Sequence, residues 1–192
     1  MYPAADTVQK AMLPLMDRDG LTKPVIQIIA EEAIESGIEE IVVVCAPGDE
    51  AYYRRHFKSL RENLFEAQRG VEWARLQSEK IANLEARLRF AVQDDPHGYG
   101  HAVYCARPFI GDEPFLLLLG DHLYVSHIDG RRCAQQLIEL AQREECAVAA
   151  VQATREHLVG RYGTLTGRRQ QGLAGVYQID RIIEKPSLSQ AE

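Results

Sequence analysis

Asp121 is the acidic residue best placed to hold a metal ion. It follows the apolar run 115–119 and Gly120 in the segment FLLLLGDHLY. Open α/β sheets bind their ligands at the carboxyl ends of strands, and a carboxylate there is the hard oxygen ligand that Mg²⁺ prefers. An aspartate that closes a strand is also a common turn residue or helix cap, so its position alone leaves both interpretations open.

A second candidate is the segment 93–103, QDDPHGYGHAV, which carries two glycines ahead of a predicted helix. Gly98 and Gly100 would let the backbone approach a flat or anionic ligand, while the Gln93 amide can both donate to and accept from a base edge. The alternative is a plain glycine-rich turn. The third glycine of a dinucleotide fingerprint is absent.

Two lysines lie beside apolar stretches. Lys10 precedes Met12 and Leu13 in KAMLPL, and Lys185 follows Glu184 and precedes Pro186 after the β-like stretch 179–183. The residue types alone do not separate a phosphate-binding lysine from a solvated lysine or a charged strand end. No Cys/His metal grid, Walker lysine loop or nucleophile elbow accompanies them.

These residues need a scaffold, and the apolar pattern predicts one. Short apolar runs without alternation are typical of strands covered on both faces, and they occur at 41–45, 88–92, 115–119 and 146–151. Helical periodicity occurs between them, at 25–34, 71–88 and 132–144. The alternation predicts a three-layer α/β fold with a mainly parallel sheet, and the polar segments after Gly160 predict a β-hairpin.

Composition places the chain among folded cytoplasmic domains. Of 192 residues, 46% are apolar and 26% are charged, with a formal net charge of -6. No basic stripe favours nucleic acid, and no apolar run approaches the roughly 20 residues of a membrane span. The four cysteines show no CxxC spacing, which favours a reducing compartment.

Taken in chain order, these segments resemble the sugar-phosphate nucleotidylyltransferase family, and within it the UTP-glucose-1-phosphate uridylyltransferases. KAMLP at 10–14 matches the family's lysine box, and 93–103 is similar to its Q-x-x-x-x-G-x-G-H-A-V. GDEP at 111–114, the Asp121 segment, Tyr162-Gly163 and Glu184-Lys185-Pro186 continue the likeness. The H-A-V ending favours the uridylyl branch, although a thymidylyltransferase of the same family is an alternative.

The resemblance implies the family's three-layer Rossmann-like nucleotidyltransferase fold, with a mainly parallel mixed sheet, and a role for each matching residue. Lys10 would contact the triphosphate, Gln93 and Gly98 the uracil edge, and Asp121 a Mg²⁺ ion. Gly163 and Glu184 would contact glucose hydroxyls, and Lys185 the phosphate of glucose 1-phosphate. The implied reaction joins UTP and glucose 1-phosphate to give UDP-glucose and pyrophosphate, in an enzyme that forms homo-oligomers.

The sequence departs from the family pattern at its two ends and at residues 18–22. Residues 1–192 are expected to form an incomplete domain, with the family's first strand and glycine-rich loop before Met1 and further elements after Glu192. On this view the 192 residues alone are inactive or nearly so, and a catalytically silent nucleotide-sugar-binding relative is the alternative. Residues 18–22, RDGLT, are an insertion of unknown effect. A dinucleotide-dependent oxidoreductase would rest on Gly98 and Gly100 alone.

Overall fold

The computed structural model describes residues 9–67 and 70–187. Residues 1–3, which resemble the end of the family's glycine-rich loop, lie outside these ranges. The chain divides into two compact units, residues 1–148 and 149–192.

The first unit is built around a parallel pair of strands. A 3-10 turn at Lys10–Met12 leads into the antiparallel strands β1 (Pro14–Met16) and β2 (Thr22–Pro24). The later elements are α1 (Val25–Glu35), β3 (Ile41–Cys45), α2 (Asp49–Ala67), α3 (Glu72–Arg87), β4 (Leu88–Val92), α4 (Tyr99–Cys105), α5 (Arg107–Ile110) and α6 (Cys133–Glu144). β3 and β4 pair in parallel from Ile41 opposite Leu88 to Cys45 opposite Val92. Parallel strands cannot be joined by a tight turn, so the chain needs a crossover between β3 and β4, which α2 and α3 supply.

The core lies between the helices and this strand pair. Phe57 is completely buried, and Ile81 and Leu84 are each only 1% exposed. The buried cluster also includes Met12, Ile26, Ala30, Cys45, Tyr53, Leu88 and Phe90. Apolar residues from three helices, two strands and the 3-10 turn therefore meet in one core, and this core fixes the carboxyl ends of β3 and β4.

The helix predictions are confirmed. α1 ends at Glu35, and Gly37 follows with a φ of 94°, a left-handed conformation that glycine adopts without a side-chain clash. α3 and α6 occupy nearly the predicted ranges, and the predicted strands at 41–45 and 88–92 are β3 and β4.

Two strand predictions are wrong. Residues 115–119 and 146–151 contain no assigned strand. Phe115 is 54% exposed and Val151 is 61% exposed. A strand exists only through hydrogen bonds to a neighbouring strand, and among the described residues neither run has one. An apolar run indicates which residues favour burial but does not supply the partner.

The second unit contains the predicted hairpin. A 3-10 helix at Glu156–Arg161 precedes β5 (Gly163–Arg169), which pairs antiparallel with β6 (Tyr177–Glu184). The register shifts between Thr166 and Gly167, where a Cβ on Gly167 would lie 2.2 Å from the Gln178 carbonyl oxygen. Glycine at this position allows the two backbones to approach.

Candidate functional site

The carboxyl ends of β3 and β4 hold the start of the glycine-rich segment. The backbone N–H of Gln93, directly after β4, donates to the Cys45 carbonyl at the end of β3, 2.9 Å away. This bond extends the parallel pairing by one residue and fixes the first residue of the loop. Gln93 is half-buried, so part of this residue stays accessible.

The Gln93 side chain is held by two partners within the same segment. Its Nε2 donates to the Gly98 carbonyl at 3.3 Å and lies 3.0 Å from Nδ1 of His101 in α4. Gly98 has φ 102° and ψ −176°, a conformation that other residues adopt only with strain. The predicted pair Gln93 and Gly98 is thus brought together, and Gly100 lies inside α4 rather than ahead of it.

An open cleft adjoins this segment. Its volume is about 640 Å³, large enough for a small-molecule ligand. It is lined by the end of β4, α4, α5 and the turn after them: Val92, His101, Tyr104, Cys105, Arg107, Pro108, Gly111 and Asp112. His101 therefore touches both the cleft and Gln93.

Cys45 does not supply a nucleophile at this edge. Burial, together with the negative charges of Asp49 and Glu50, raises the pKa of the Cys45 thiol above its usual value. A thiol is nucleophilic only as the thiolate, and this environment disfavours that form. The residue acts as a small buried apolar group.

Lys10 is the first residue of the 3-10 turn, near the start of the described residues. The Met12 N–H donates to the Gln9 carbonyl at 2.8 Å, and Met12 is buried in the core. The Val25 N–H donates to the Leu13 carbonyl at 3.0 Å, which ties the turn to α1. Lys10 itself is exposed, so its amine is available to an anion.

A buried lysine next to this turn was missed by the sequence predictions. Lys23 is only 3% exposed, and its Nζ lies 2.6 Å from Asp17, 2.6 Å from Asp19 and 2.8 Å from Glu31. Burial opposes the charged amine, but hydrogen bonds to the three carboxylates raise the pKa of Lys23 above its usual value. The network joins the β1–β2 hairpin to α1.

Residues 18–22, whose effect the sequence left open, form the turn of that hairpin. The Gly20 N–H donates to the Asp17 carbonyl at 3.0 Å, and the Asp17 N–H donates to the Leu21 carbonyl at 2.9 Å. An Asp-Gly pair between strands is a recognised hairpin signal, so D-R-D-G could have predicted this turn. Asp17 and Asp19, two of the three carboxylates that hold Lys23, lie between β1 and β2 in this loop.

A second ion network joins α1 to the start of α6. Arg132 is paired with Glu35 and lies 3.4 Å from Glu32. The same Glu32 accepts the Ala134 N–H at 2.9 Å, which satisfies one of the free N–H groups in the first turn of α6. Burial opposes the charge of Arg132, but Glu35 and Glu32 raise the pKa of the guanidinium.

Asp121 lies in an exposed turn, not at the end of a strand, because residues 115–119 are unpaired. Its carboxylate is 3.9 Å from Nε2 of His122, and its side chain is 56% exposed. The described residues contain no group of three or more His, Cys, Asp or Glu side chains arranged for a metal. A lone aspartate fits Mg²⁺ that takes its remaining ligands from phosphates and water, which is how Mg²⁺ usually binds.

The predicted sugar-site residues lie together in the second unit. Gly163 and Glu184 are directly opposite in the β5–β6 register, and a Cβ on Gly163 would lie 3.1 Å from the Glu184 carboxylate. The Lys185 N–H donates to the Tyr162 carbonyl at 3.1 Å, and Lys185 has a φ of 44°. Its amine is 3.6 Å from Glu184, and both side chains are exposed.

None of the described helices is long and apolar enough to cross a membrane. The cysteines at 45, 105, 133 and 146 are all free thiols.

Comparison with known proteins identifies a family and relatives that match nearly the whole chain. Residues 1–192 match the family model described as "Nucleotidyl transferase". Two proteins of Bacillus subtilis (strain 168) are similar: a UTP-glucose-1-phosphate uridylyltransferase, 37% identical over 187 residues, and the UTP-glucose-1-phosphate uridylyltransferase YngB, 37% identical over 190 residues. The alignments cover 96% and 98% of this chain. The chain spans only 59% and 60% of the length of these relatives.

Solved structures are similar over the same length. An apo UDP-glucose pyrophosphorylase matches 98% of this chain with a TM-score of 0.81 and 28% identity, and 66% of that protein is covered. A UTP-bound UGPase from Acinetobacter baumannii matches 97% of this chain with a TM-score of 0.76 and 26% identity, and 64% of that protein is covered. The predicted α/β nucleotidyltransferase fold is confirmed.

Proposed function

Because this chain belongs to the nucleotidyl transferase family, we propose that the protein transfers the uridylyl group of UTP to glucose 1-phosphate, giving UDP-glucose and pyrophosphate. The observation that carries the proposal is the Gln93 amide, which is anchored at the carboxyl end of β4 and bonded to the Gly98 carbonyl. A fixed amide beside an open cleft suits recognition of a base edge. The two Bacillus subtilis relatives are named for this activity.

The base-binding step rests on Gln93 and Gly98. Gln93 presents a polar amide to the uracil edge, and the backbone at Gly98 approaches the base without a side chain in the way. A site built to pair with a base edge rejects analogues that leave its polar groups unpaired. UTP is therefore the proposed nucleotide.

The transfer step needs charge neutralisation and positioning rather than a covalent intermediate. A phosphate oxygen of glucose 1-phosphate attacks the α-phosphorus of UTP. The bond from that phosphorus to the oxygen bridging to the β-phosphate breaks, and pyrophosphate leaves with the bonding electrons. Steps of this kind are accelerated mainly by alignment and by electrostatic stabilisation of the phosphates.

Lysines and one carboxylate supply that stabilisation. Lys10, exposed beside a turn that is tied to the core, binds the triphosphate. Lys185 binds the phosphate of glucose 1-phosphate, while Gly163 and Glu184 contact the sugar hydroxyls. Asp121 is the residue that would hold Mg²⁺, which lowers the charge on the phosphate oxygens when bound.

A titration followed by NMR tests this assignment on the 192-residue chain. Addition of UDP-glucose with Mg²⁺ should shift the Gln93 side-chain amide and the Gly98 backbone amide, since both groups border the base. ADP-glucose is the matched ligand, because it differs only in the base and should leave these two signals nearly unchanged. Equal shifts with both ligands, or shifts confined to other residues, would contradict uracil recognition here.

A further inference from the structure

The Gly98 carbonyl fixes which way the Gln93 amide points. A carbonyl oxygen is an acceptor only, so the group 3.3 Å from it must be the amide NH₂ of Gln93. The opposite orientation would set two oxygens against each other. This assignment follows from one neighbour whose hydrogen-bonding role is invariant.

The same NH₂ group fixes the tautomer of His101. Nε2 of Gln93 lies 3.0 Å from Nδ1 of His101, and a donor there requires Nδ1 to carry a lone pair. A proton on Nδ1 would set donor against donor. The ring proton of neutral His101 therefore lies on Nε2, where the Cys105 sulfur, 3.9 Å away and one helical turn later, is a weak acceptor.

Both N–H groups of the Gln93 amide are used in these contacts, one by Gly98 and one by His101. The hydrogen bonds among the described residues leave the amide oxygen Oε1 unused. A free carbonyl oxygen accepts an N–H. Uracil offers one at N3, whereas the corresponding nitrogen of cytosine is an acceptor and would repel it.

We infer that His101 is a positioning residue for base selection: by accepting from Gln93 it holds Oε1 outward, so that the site takes pyrimidines with an N3–H and excludes cytosine. This inference rests on the proposed uridylyl transfer and deepens it, because it names the residue behind the selectivity. His101 is half-buried on α4 and lines the cleft, so the helix fixes the imidazole relative to the ligand.

The first test needs neither a variant nor a ligand. Long-range proton–nitrogen NMR correlations of the 192-residue chain at a pH of about 8, where an ordinary imidazole is neutral, report which ring nitrogen of His101 carries the proton. We expect the proton on Nε2. A proton on Nδ1 would overturn the inference whatever the chain binds.

The second test compares two substitutions of matched size. Asn places its amide oxygen near the position of Nδ1, so His101→Asn can still accept from Gln93, whereas His101→Leu cannot. We expect the wild-type chain and His101→Asn to bind UMP over CMP by about tenfold, the effect of one hydrogen bond, and His101→Leu to lose most of that ratio.

The two tests separate this inference from the proposed function. If the wild-type chain binds UMP selectively and His101→Leu keeps the full ratio, the inference is wrong while uridine recognition stands. If the wild-type chain shows no preference for UMP, the uridine specificity of the proposed function fails and the base-selecting role of His101 fails with it. Circular dichroism of both variants establishes that they fold.

Discussion

Nζ of Lys23 lies 2.8 Å from Oε2 of Glu31, and the lysine is almost completely buried between the β1–β2 hairpin and α1. The Glu31 carboxylate is also held by the Gln27 amide at 2.7 Å. Three acidic side chains surround a single amine, so the network depends on the positive charge of that amine. The network borders the turn that carries Lys10.

Replacement of Lys23 should therefore destabilise the first unit strongly. Lys23→Met keeps the length of the side chain but leaves Asp17, Asp19 and Glu31 facing one another without a cation. We expect the free energy of unfolding to fall by about 3 kcal/mol, as for the loss of one partner from a buried ion pair. Urea denaturation measures it.

Lys58→Met is the matched control for this measurement. Lys58 lies on α2, with its side chain 65% exposed and its amine 3.9 Å from Glu62. Exposed pairs of this kind contribute roughly 0–1 kcal/mol. Similar losses in the two variants would show that the Lys23 network is not the stabilising feature described above.

Asp17 makes the stability of the hairpin sensitive to acid. Burial raises the pKa of its carboxyl, but the hydrogen bonds from Lys23 and the Arg18 N–H, with the charges of Lys23 and Arg132, outweigh burial and hold the pKa below its usual value. Because the folded value is below the unfolded value, this stabilisation is present above a pH of about 4 and is lost as the pH falls through the folded pKa.

The acid prediction is checked with Asp17→Asn. Unfolding free energies are measured from about pH 6 to about pH 2, a range that includes the usual pKa of a carboxyl group. They should fall less steeply with acid in the variant than in wild type. Asp112→Asn serves as the comparison, since Asp112 is exposed. Parallel curves for Asp17→Asn and wild type would mean that Asp17 is not the acid-sensitive group.

Gly98→Ala separates backbone strain from ligand recognition. Gly98 has a φ of 102°, and alanine there costs about 1–3 kcal/mol of strain or shifts the loop. A shifted Gly98 carbonyl would release the Gln93 amide, so binding of UMP should weaken at least about tenfold. Calorimetric titration measures the affinity.

Gly48→Ala supplies the same strain at a different place. Gly48 has a φ of 87° in the turn before α2, and a Cβ there meets no atom within 4 Å, as at Gly98. We expect a comparable loss of stability with UMP binding retained. Equal weakening of UMP binding in both variants would mean that general destabilisation, rather than the Gln93 contact, explains the effect.

The unpaired run 115–119 should exchange its amide hydrogens rapidly. β3 and β4 are paired in parallel, whereas 115–119 have no strand partner among the described residues. We expect peptides that cover 41–45 to exchange about a hundredfold more slowly than those that cover 115–119 in deuterium-exchange mass spectrometry. Equal protection would show that the run is paired in solution.

Local patterns predicted much of the fold and failed where pairing decides the structure. α1 and α6 follow from the period of their apolar residues, and β3 and β4 follow from their short apolar runs. The run 115–119 has the same composition as a buried strand, but a sequence pattern does not specify which strand lies beside it. The contact between segments far apart in the chain determines the outcome.

In the candidate site, too, the sequence predicted local relationships but not the contacts that depend on the fold. The spacing of Gln93 and Gly98 predicted that they act together, because both lie in one short loop. The role that we infer for His101 was not predicted, since it depends on the orientation of an amide. Lys23 was not predicted, because only the fold brings Asp17, Asp19 and Glu31 around its amine.

Release of pyrophosphate is a direct measure of uridylyl transfer. The 192 residues do not contain the family's glycine-rich loop, whose backbone N–H groups would hold the triphosphate, and one such donor typically contributes on the order of a hundredfold to a thousandfold in rate. We expect little release from UTP, glucose 1-phosphate and Mg²⁺ with this chain, and rapid release from a version that carries the glycine-rich segment and the full length of its relatives. In that longer version, Lys10→Ala and Lys185→Ala should each slow release at least about a hundredfold, with Lys58→Ala unchanged. Absence of release from the longer version would contradict uridylyl transfer, and comparable rates with and without the glycine-rich segment would contradict the role of that loop in holding the triphosphate.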